Sequence, residues 1–183
     1  MRIAFLMAPE GVEQIELTDP WQAVTDQGHE PVLVSTEPGQ IQAFNHLDKA
    51  DVFPVQATVR EASAETFDGL VLPGGVANPD LLRTDEDAVS FVRAFFDLGR
   101  PVAAICHAPW TLVEAGVVEG RTLTSWPSLR TDISNAGGTW VDEQVRVCDQ
   151  GPNTLVTSRK PDDLKAFRET LLTEFAKARK DFR

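Results

Sequence analysis

The segment that most constrains the fold is residues 101–110, PVAAICHAPW. It begins with an apolar run typical of a buried strand, which stops at Cys106, and an apolar pattern with helical spacing follows soon afterwards. Small residues on both sides of the thiol, Ala104 and Ala108, leave room for a sharp and strained turn. The pattern therefore predicts a nucleophile elbow, in which Cys106 stands between a buried strand and a helix, with His107 beside it.

The predicted position of Cys106 at a helix N-terminus indicates a reactive thiol. Because the free N–H groups and the dipole of a helix favour an anion there, we expect the pKa of the Cys106 thiol to fall to roughly 5–6. The other cysteine, Cys148, lacks such a setting and is expected to behave as an ordinary thiol.

Length and charge limit the classes of protein to which the chain can belong. A chain of 183 residues is long enough for one well-packed domain and short for two, so we predict a single domain over residues 1–183. The net charge of −11 argues against a nucleic acid or an anionic membrane as partner. No signal-peptide pattern is visible, no apolar run is long enough to cross a membrane, and two cysteines do not make a disulfide scaffold. We therefore expect a cytoplasmic protein.

Strand and helix patterns alternate along the chain, which is typical of an α/β fold with a mostly parallel sheet and helices on both faces. The patterns predict strands at residues 3–8, 31–35, 68–72, 101–105, 122–124, 140–141, 145–147 and 155–157, and helices at 13–26, 80–98 and 127–136 as well as after the elbow and after residues 158–163. Pro20 is expected to kink or restart the first helix. Between residues 36 and 67 the pattern is weak, and pieces at 41–44 and 52–59 fit either an edge hairpin or an irregular crossover.

Three loops are expected to meet at the carboxyl ends of the parallel strands, where open α/β sheets hold their catalytic residues. They are residues 9–16, residues 74–80 and the elbow itself. Gly74 and Gly75 allow backbone N–H groups to approach a ligand closely, and with the N–H of His107 they can form an oxyanion hole. A plain tight turn is the alternative for the two glycines.

Glu16 begins the first predicted helix beside the same crevice. A carboxyl group that hydrogen-bonds the sulfur of Cys106 would position the thiolate and carry its proton, provided that burial raised the pKa of the carboxyl group. An acidic residue in a first helical turn also complements the helix dipole without any catalytic role. Glu10 and Glu13 lie in the same loop and compete with Glu16 for this position.

The histidines limit the catalytic arrangements further. Only His29, His46 and His107 occur, and their spacing gives no zinc motif. No histidine lies downstream of the elbow, which excludes the triad of a class I amidotransferase. His29 and His46 are expected at the surface, so His107 is the base adjacent to the thiol. Asp80 is a candidate for the acid that orients His107, and an exposed aspartate at a helix start is the alternative.

The elbow and its neighbouring segments resemble the ThiJ/PfpI superfamily, and within it the branch of PfpI-type intracellular proteases and general stress proteins. The similar segments span nearly the whole chain: GVEQIELTDP at 11–20, DGLVLPGG at 68–75, NPDLLR at 78–83, the elbow AAICHAPW, TSWPSLRTDISNAGGTWVDEQV at 124–145 and TSRKPDDL at 157–164. The resemblance implies a flavodoxin-like three-layer sandwich formed by one ThiJ/PfpI domain, of the class I glutamine amidotransferase-like type.

The same resemblance implies roles for individual residues. Cys106 is the nucleophile, Glu16 hydrogen-bonds its sulfur, and the backbone N–H groups of Gly75 and His107 are the oxyanion donors. In the PfpI branch the acid that completes the triad comes from a neighbouring subunit, and it matches Asp80 here. We therefore expect a homodimer or a higher homo-oligomer with its sites at the interface.

The substrate pocket is expected to be lined by Gly74, Trp110 and Trp126. Trp126 stands where a parkinsonism-associated branch of the superfamily has a histidine near its cysteine, so the arrangement of that branch is absent.

Members of the superfamily are described as cysteine peptidases, as glutathione-independent glyoxalases and deglycases acting on methylglyoxal adducts, and as oxidative-stress proteins. We expect an enzyme of stress defence without metal or cofactor, in which the Cys106 thiolate attacks the carbonyl of a reactive aldehyde, a glycated amine or thiol, or a peptide. The alternative is a non-catalytic oxidative-stress sensor or chaperone-like protein in which Cys106 is oxidised. The sequence leaves these functions open.

Overall fold

The centre of the molecule is a seven-stranded sheet. In the computed structural model, which describes residues 1–181, its strands lie side by side in the order β11 (Val145–Cys148), β12 (Leu155–Ser158), β8 (Val102–Ile105), β7 (Gly69–Leu72), β1 (Arg2–Met7), β3 (Glu30–Ser35) and β6 (Ala57–Thr58). Strand β11 runs antiparallel to β12, and all other neighbours pair in parallel. The parallel pairs place the carboxyl ends of β1, β7, β8 and β12 at one edge of the sheet.

Strand β1 shows why the sheet is covered on both faces. Because successive side chains of a strand point to opposite faces, Ile3, Phe5 and Met7 enter one apolar core and Ala4 and Leu6 enter the other. All five side chains are completely buried. Full burial of a large apolar side chain such as Phe5 contributes about 1.5–3 kcal/mol of stabilisation, so both faces of the sheet favour the layered fold.

Six α-helices of the described residues form the outer layers: α1 (Gln14–Asp26), α2 (Ala77–Leu82), α3 (Glu86–Asp97), α4 (Pro109–Glu114), α5 (Arg130–Asn135) and α6 (Leu164–Asp181). Helices α1 and α6 bury apolar residues in the core that contains Phe5, whereas α3, α4 and α5 do so in the core that contains Leu6. The predicted three-layer α/β sandwich is therefore confirmed. Within residues 1–181 no helix has both the length and the apolar character needed to cross a membrane.

Two small sheets lie beside the central one. Strands β2 (Glu10–Glu13), β4 (Gln40–Asn45) and β5 (Asp48–Pro54) form the first, which we call the accessory sheet, and β9 (Thr122–Leu123) pairs with β10 (Thr139–Trp140) in the second. Strands β4 and β5 are antiparallel, so the weak pattern between residues 36 and 67 resolves as a hairpin. The tip of this hairpin is His46-Leu47, with His46 in the left-handed region at φ 58°.

The structure corrects two predicted helices. The helix expected over residues 80–98 is split into α2 and α3, because Asp85 caps α3 by accepting a hydrogen bond of 2.8 Å from the N–H of Ala88. The first helix does not restart at Pro20, since α1 runs through it without interruption. Pro20 is buried, and the packing of this helix against the sheet offsets the backbone hydrogen bond that a proline cannot make.

Candidate active site

Cys106 occupies the sharp turn between β8 and α4. Its backbone is left-handed, with φ 64°, a conformation rare for any residue but glycine. The turn is held on both sides, because the N–H of Cys106 donates to the carbonyl of Ser158 at 3.1 Å and its own carbonyl accepts from the N–H of Trp126 at 2.8 Å. The elbow geometry predicted from residues 101–110 is thus present.

His107 lies directly beside the sulfur. Its Nδ1 atom is 3.2 Å from Sγ of Cys106. The imidazole ring stacks on Trp126 with 5.6 Å between ring centroids and 22° between planes, and it meets Trp110 at 5.2 Å. Burial lowers the pKa of His107 to about 4, so the ring is neutral at pH 7.

Glu16 reaches the same point from the first turn of α1. It is completely buried, and its Oε2 accepts a hydrogen bond of 2.9 Å from the N–H of Gly74, whereas Oε1 accepts none from residues 1–181. Burial raises the pKa of Glu16 to about 7, and the negative charge of Glu13 acts in the same direction. Hydrogen bonds with the Cys106 thiol and with the N–H groups of Gly74 and Gly75 oppose this rise in pKa.

The pKa of the Cys106 thiol is shifted in the direction opposite to our prediction. Burial, followed by the negative charge of Glu16, raises the pKa of the thiol well above its ordinary value. The N–H groups of Gly75 and His107 act on the sulfur and lower its pKa, but they do not overcome burial. The predicted low pKa was wrong because the side chain is only 6% exposed and faces a carboxylate, and neither fact is visible in residues 101–110 alone.

The two glycines after β7 are required by close packing. A Cβ atom at Gly74 would lie 2.4 Å from Oε2 of Glu16 and 2.7 Å from Cβ of Cys106. Gly75 has φ 81°, and a Cβ atom there would lie 2.2 Å from the carbonyl oxygen of Gly11. The pair is therefore more than a plain turn: it lets the loop pass between the carboxyl group and the thiol.

Asn78 fixes this glycine loop and was not singled out in the sequence. Its side chain is completely buried, accepts a hydrogen bond of 2.7 Å from the N–H of Ala8, and donates to the carbonyls of Pro73 at 3.0 Å and Gly74 at 3.1 Å. Asn78 thus joins the end of β1 to the loop that contacts Glu16. An asparagine shortly after a glycine pair is the signal for such a role.

The sulfur opens into a cavity of about 190 Å³. The residues that line this cavity are Glu13, Glu16, His46, Leu47, Gly75, Val76, Cys106, His107, Trp126 and Pro161. The accessory sheet supplies the wall opposite the elbow, since Glu13 ends β2 and His46-Leu47 is the hairpin tip. His46 has a highly exposed side chain, as expected, yet it also belongs to this wall.

Four of the other predicted site residues lie outside the cavity lining. Trp110 packs behind His107 and donates from Nε1 to Asp132 at 2.8 Å, and Gly74 is enclosed between Glu16 and Cys106. Glu10 is exposed. Asp80 is exposed on α2, and among the described residues no hydrogen bond or ion pair joins it to His107, so its orienting role remains a prediction.

Four lining residues had no predicted role: His46, Leu47, Val76 and Pro161. The hairpin tip could not be located because the pattern between residues 36 and 67 does not show where that segment packs. Across residues 1–181 no group of three or more His, Cys, Asp or Glu side chains could hold a metal ion.

Comparison with known proteins shows similarity along nearly the whole chain. The model of the DJ-1/PfpI family matches residues 1–174. Deglycase PH1704 of Pyrococcus horikoshii is 41% identical over 177 residues, which cover 97% of this chain and 98% of that protein. General stress protein 18 of Bacillus subtilis is 41% identical over 160 residues, covering 87% of this chain and 90% of the relative.

A solved structure shows the same architecture. The DJ-1/ThiJ/PfpI-like and ferritin-like two-domain protein of Anabaena variabilis superposes with a TM-score of 0.86 at 30% identity. The match covers 96% of this chain and 48% of that one, so this chain spans about half the length of the two-domain protein.

Proposed function

Because the chain belongs to the DJ-1/PfpI family, we propose that it is a deglycase-type cysteine hydrolase that removes α-oxoaldehyde groups from modified side chains. The observation that carries the proposal is the left-handed Cys106 beside a buried Glu16 whose pKa is about 7. A nucleophile and a base poised near neutral pH are the two groups that such a reaction needs. The deglycase name of the Pyrococcus horikoshii relative supports the same reaction class.

The size of the cavity favours small substrates over peptides. Its volume of about 190 Å³ is below the range of about 300–1,000 Å³ typical of drug-sized ligands. A peptidase needs an extended cleft, whereas methylglyoxal and its adducts place only a few heavy atoms near the sulfur. Deglycase or glyoxalase chemistry is therefore better supported than peptide hydrolysis.

Glu16 is the base that takes the thiol proton. The raised pKa of Cys106 means that the thiol keeps its proton until a base removes it. His107 Nδ1 is close enough to the sulfur, but its pKa of about 4 makes it the weaker base, whereas the pKa of Glu16, about 7, is poised near neutral pH. The hydrogen bond between the Cys106 thiol and the carboxyl group of Glu16 is the path by which the proton moves.

The first stage releases the amine and captures the aldehyde. The hydroxyl proton of the hemiaminal passes to nitrogen, the C–N bond breaks, and free amine and α-oxoaldehyde result. The Cys106 sulfur then bonds to the aldehyde carbon while its proton goes to Glu16, and the carbonyl electron pair moves to oxygen. The N–H groups of Gly75 and His107, which already act on the sulfur, stabilise this oxyanion.

The second stage is an internal redox exchange followed by hydrolysis. Glu16 returns its proton to the oxyanion, and as a carboxylate it removes the C–H proton and delivers it to the neighbouring carbon through an enediol. The former aldehyde carbon is thereby oxidised to a thioester while the adjacent ketone is reduced to an alcohol, so no external oxidant is needed. Water then cleaves the C–S bond, and a 2-hydroxy acid and the thiol are released.

The non-catalytic sensor receives less support from the geometry. A redox-sensing cysteine is ordinarily exposed and has a low pKa. Cys106 is 6% exposed, and burial raises its pKa.

The test is to incubate the protein with methylglyoxal adducts of N-acetylarginine amide and N-acetylcysteine amide and to measure lactate and the freed side chain. We expect both products from the wild type and from Cys148→Ser, whose cysteine lies outside the cavity, and neither from Cys106→Ser. Cleavage of a peptide substrate with no lactate from any adduct would overturn the proposal in favour of a peptidase.

A further inference from the structure

The ionisable side chains that line the active-site cavity are mostly acidic. Glu13 and Glu16 line it, and among the described residues no lysine or arginine does so. His107 is neutral at pH 7 because burial holds its pKa at about 4, and the side chain of His46 is 89% exposed to solvent. Within the part of the chain that the structure describes, an anionic substrate therefore meets two carboxyl groups and no buried cation.

The basic residues beside the cavity are paired elsewhere. Arg159 and Lys160 directly precede Pro161, which lines the cavity. Arg159 binds Asp142 at 2.6 Å and Asp163 at 2.8 Å, and Lys160 lies 3.2 Å from Asp162. Their charges are thus partly neutralised and lie outside the lining.

Glu13 is placed to receive a positively charged group. Its side chain is 13% exposed, and its Oε2 accepts a hydrogen bond of 2.9 Å from the backbone N–H of His46 at the hairpin tip. The only ion pair that Glu13 makes within residues 1–181 is the long one to the His46 ring at 3.9 Å. Its Oε1 accepts no hydrogen bond from the described residues. A carboxylate held by one oxygen and free at the other is suited to bind an N–H donor.

The rim of the cavity is apolar and accessible. Leu47 is 94% exposed, Val76 is 60% exposed and Trp126 is 38% exposed, and all three line the cavity. Such a rim can pack against the methylene stem of a long side chain while its polar end enters the cavity. Together with Glu13, the rim matches a side chain that has an aliphatic stem and a cationic head.

We propose that the cavity selects α-oxoaldehyde adducts on arginine side chains over adducts on thiols and over anionic aldehydes, with Oε1 of Glu13 binding the guanidinium. This inference rests on the proposed function, since it names the substrate class of the same site. The adduct carbon is bonded to the guanidinium, so binding the head at Glu13 brings the reacting carbonyl to the end of the cavity that holds Cys106. A cysteine adduct is neutral and gains nothing from Glu13.

The experiment compares kcat/KM for the methylglyoxal adducts of N-acetylarginine amide and N-acetylcysteine amide in the wild type, Glu13→Gln and Glu10→Gln. Glutamine at position 13 can still accept the N–H of His46, so the hairpin tip keeps its anchor. Glu10 is the matched control, because it lies in the same strand but is exposed and outside the cavity lining. Any effect of Glu13 on the pKa of Glu16 acts on both substrates and cancels in their ratio.

We expect the wild type and Glu10→Gln to favour the arginine adduct by about tenfold or more, and Glu13→Gln to reduce this ratio towards one, as loss of a charged hydrogen bond predicts. A ratio near one in the wild type, or one unchanged in Glu13→Gln, would overturn the inference.

Binding of unmodified N-acetylarginine amide to Cys106→Ser, measured by calorimetry with and without Glu13→Gln, tests the inference independently of turnover. Binding that needs Glu13 supports it, and equal or absent binding contradicts it. Failure of every adduct to react would instead count against the proposed function.

Discussion

Nδ1 of His107 lies 3.2 Å from Sγ of Cys106, yet the imidazole is the weaker of the two bases that face the thiol. Burial beside two tryptophan rings disfavours the imidazolium, whereas burial of Glu16 favours a proton on the carboxyl group. The same physical cause thus lowers the pKa of one base and raises that of the other. It leaves His107 neutral and supports the proposed transfer of the thiol proton to Glu16.

The pH dependence of turnover should follow the ionisation of Glu16. Because the carboxylate must accept the thiol proton, kcat/KM should rise with pH through about 7. In Glu16→Gln this limb should disappear and the rate should fall by about 10²–10⁴-fold, as for loss of a general base. Rates of lactate release between pH 5 and 9 provide the measurement. An unchanged limb in Glu16→Gln would show that another group takes the proton.

The stability of the fold should also depend on Glu16. Its pKa is raised from 4.5 to about 7, so the folded chain holds the proton more tightly than the unfolded chain. The contribution of this group is therefore fully present below pH 4.5 and is lost as the pH rises to about 7. Relative to wild type, Glu16→Gln should gain up to about 3 kcal/mol between pH 4 and pH 8. Urea unfolding at both pH values measures this gain, and a constant difference between the two proteins would contradict it.

In Glu16→Gln, Cys106 should react faster with an alkylating reagent although turnover falls. The charge of Glu16 is the second-largest cause of the raised pKa of the thiol, after burial. Removing it in Glu16→Gln lowers that pKa, so alkylation of Cys106 by iodoacetamide at pH 8 should be faster than in the wild type. Mass spectrometry of the modified peptide measures the rate, with Cys148 as the internal reference. Slower alkylation in Glu16→Gln would refute the repulsion between the two groups.

The sequence predicts those features of the site that depend on neighbouring residues, but not those that depend on long-range packing. The elbow at Cys106 and the position of Glu16 in a first helical turn follow from local patterns, because apolar runs and helix starts are properties of neighbouring residues. The pKa of Cys106 depends on burial, which long-range packing decides. His46 and Leu47 reach the cavity through strand pairing across the accessory sheet, and no local pattern contains that pairing.

Gly74→Ala should disturb the active site without changing any functional group. The added methyl group would lie 2.4 Å from Oε2 of Glu16 and 2.7 Å from the carbonyl oxygen of Ile105, so the loop must shift. We expect a loss of about 1–3 kcal/mol of stability and a marked loss of turnover. Gly28→Ala is the control for turnover, since nothing lies within 4 Å of an added Cβ atom there and Gly28 does not line the cavity. Its φ of 71° means that alanine there also costs about 1–2 kcal/mol through backbone strain, so only Gly74→Ala should lose turnover at a similar loss of stability. Normal turnover in Gly74→Ala would mean that the close packing is not needed for catalysis.

Association of two copies of the chain should supply the acid that orients His107. Among the described residues, Nε2 of His107 has no hydrogen-bond partner, and Asp80 of the same chain is exposed on α2. We propose that Asp80 of a second copy orients His107, so that inactive Cys106→Ser and Asp80→Ala chains complement each other when mixed. In a two-fold dimer with full exchange, about a quarter of wild-type activity should return. If exchange is demonstrated by mass spectrometry and no activity returns, Asp80 does not act across an interface.

The reacting groups of this site and the wall of its cavity belong to different elements of the fold, because the accessory sheet supplies the wall. The proposed nucleophile and its proposed base come from the elbow and from α1, whereas the hairpin tip of β4 and β5 forms the opposite wall. A change in the length or composition of that hairpin alters what enters the cavity and leaves the left-handed turn at Cys106 untouched. The hairpin is therefore the natural position for engineering a new substrate range, because loop grafts there do not have to preserve the geometry of catalysis.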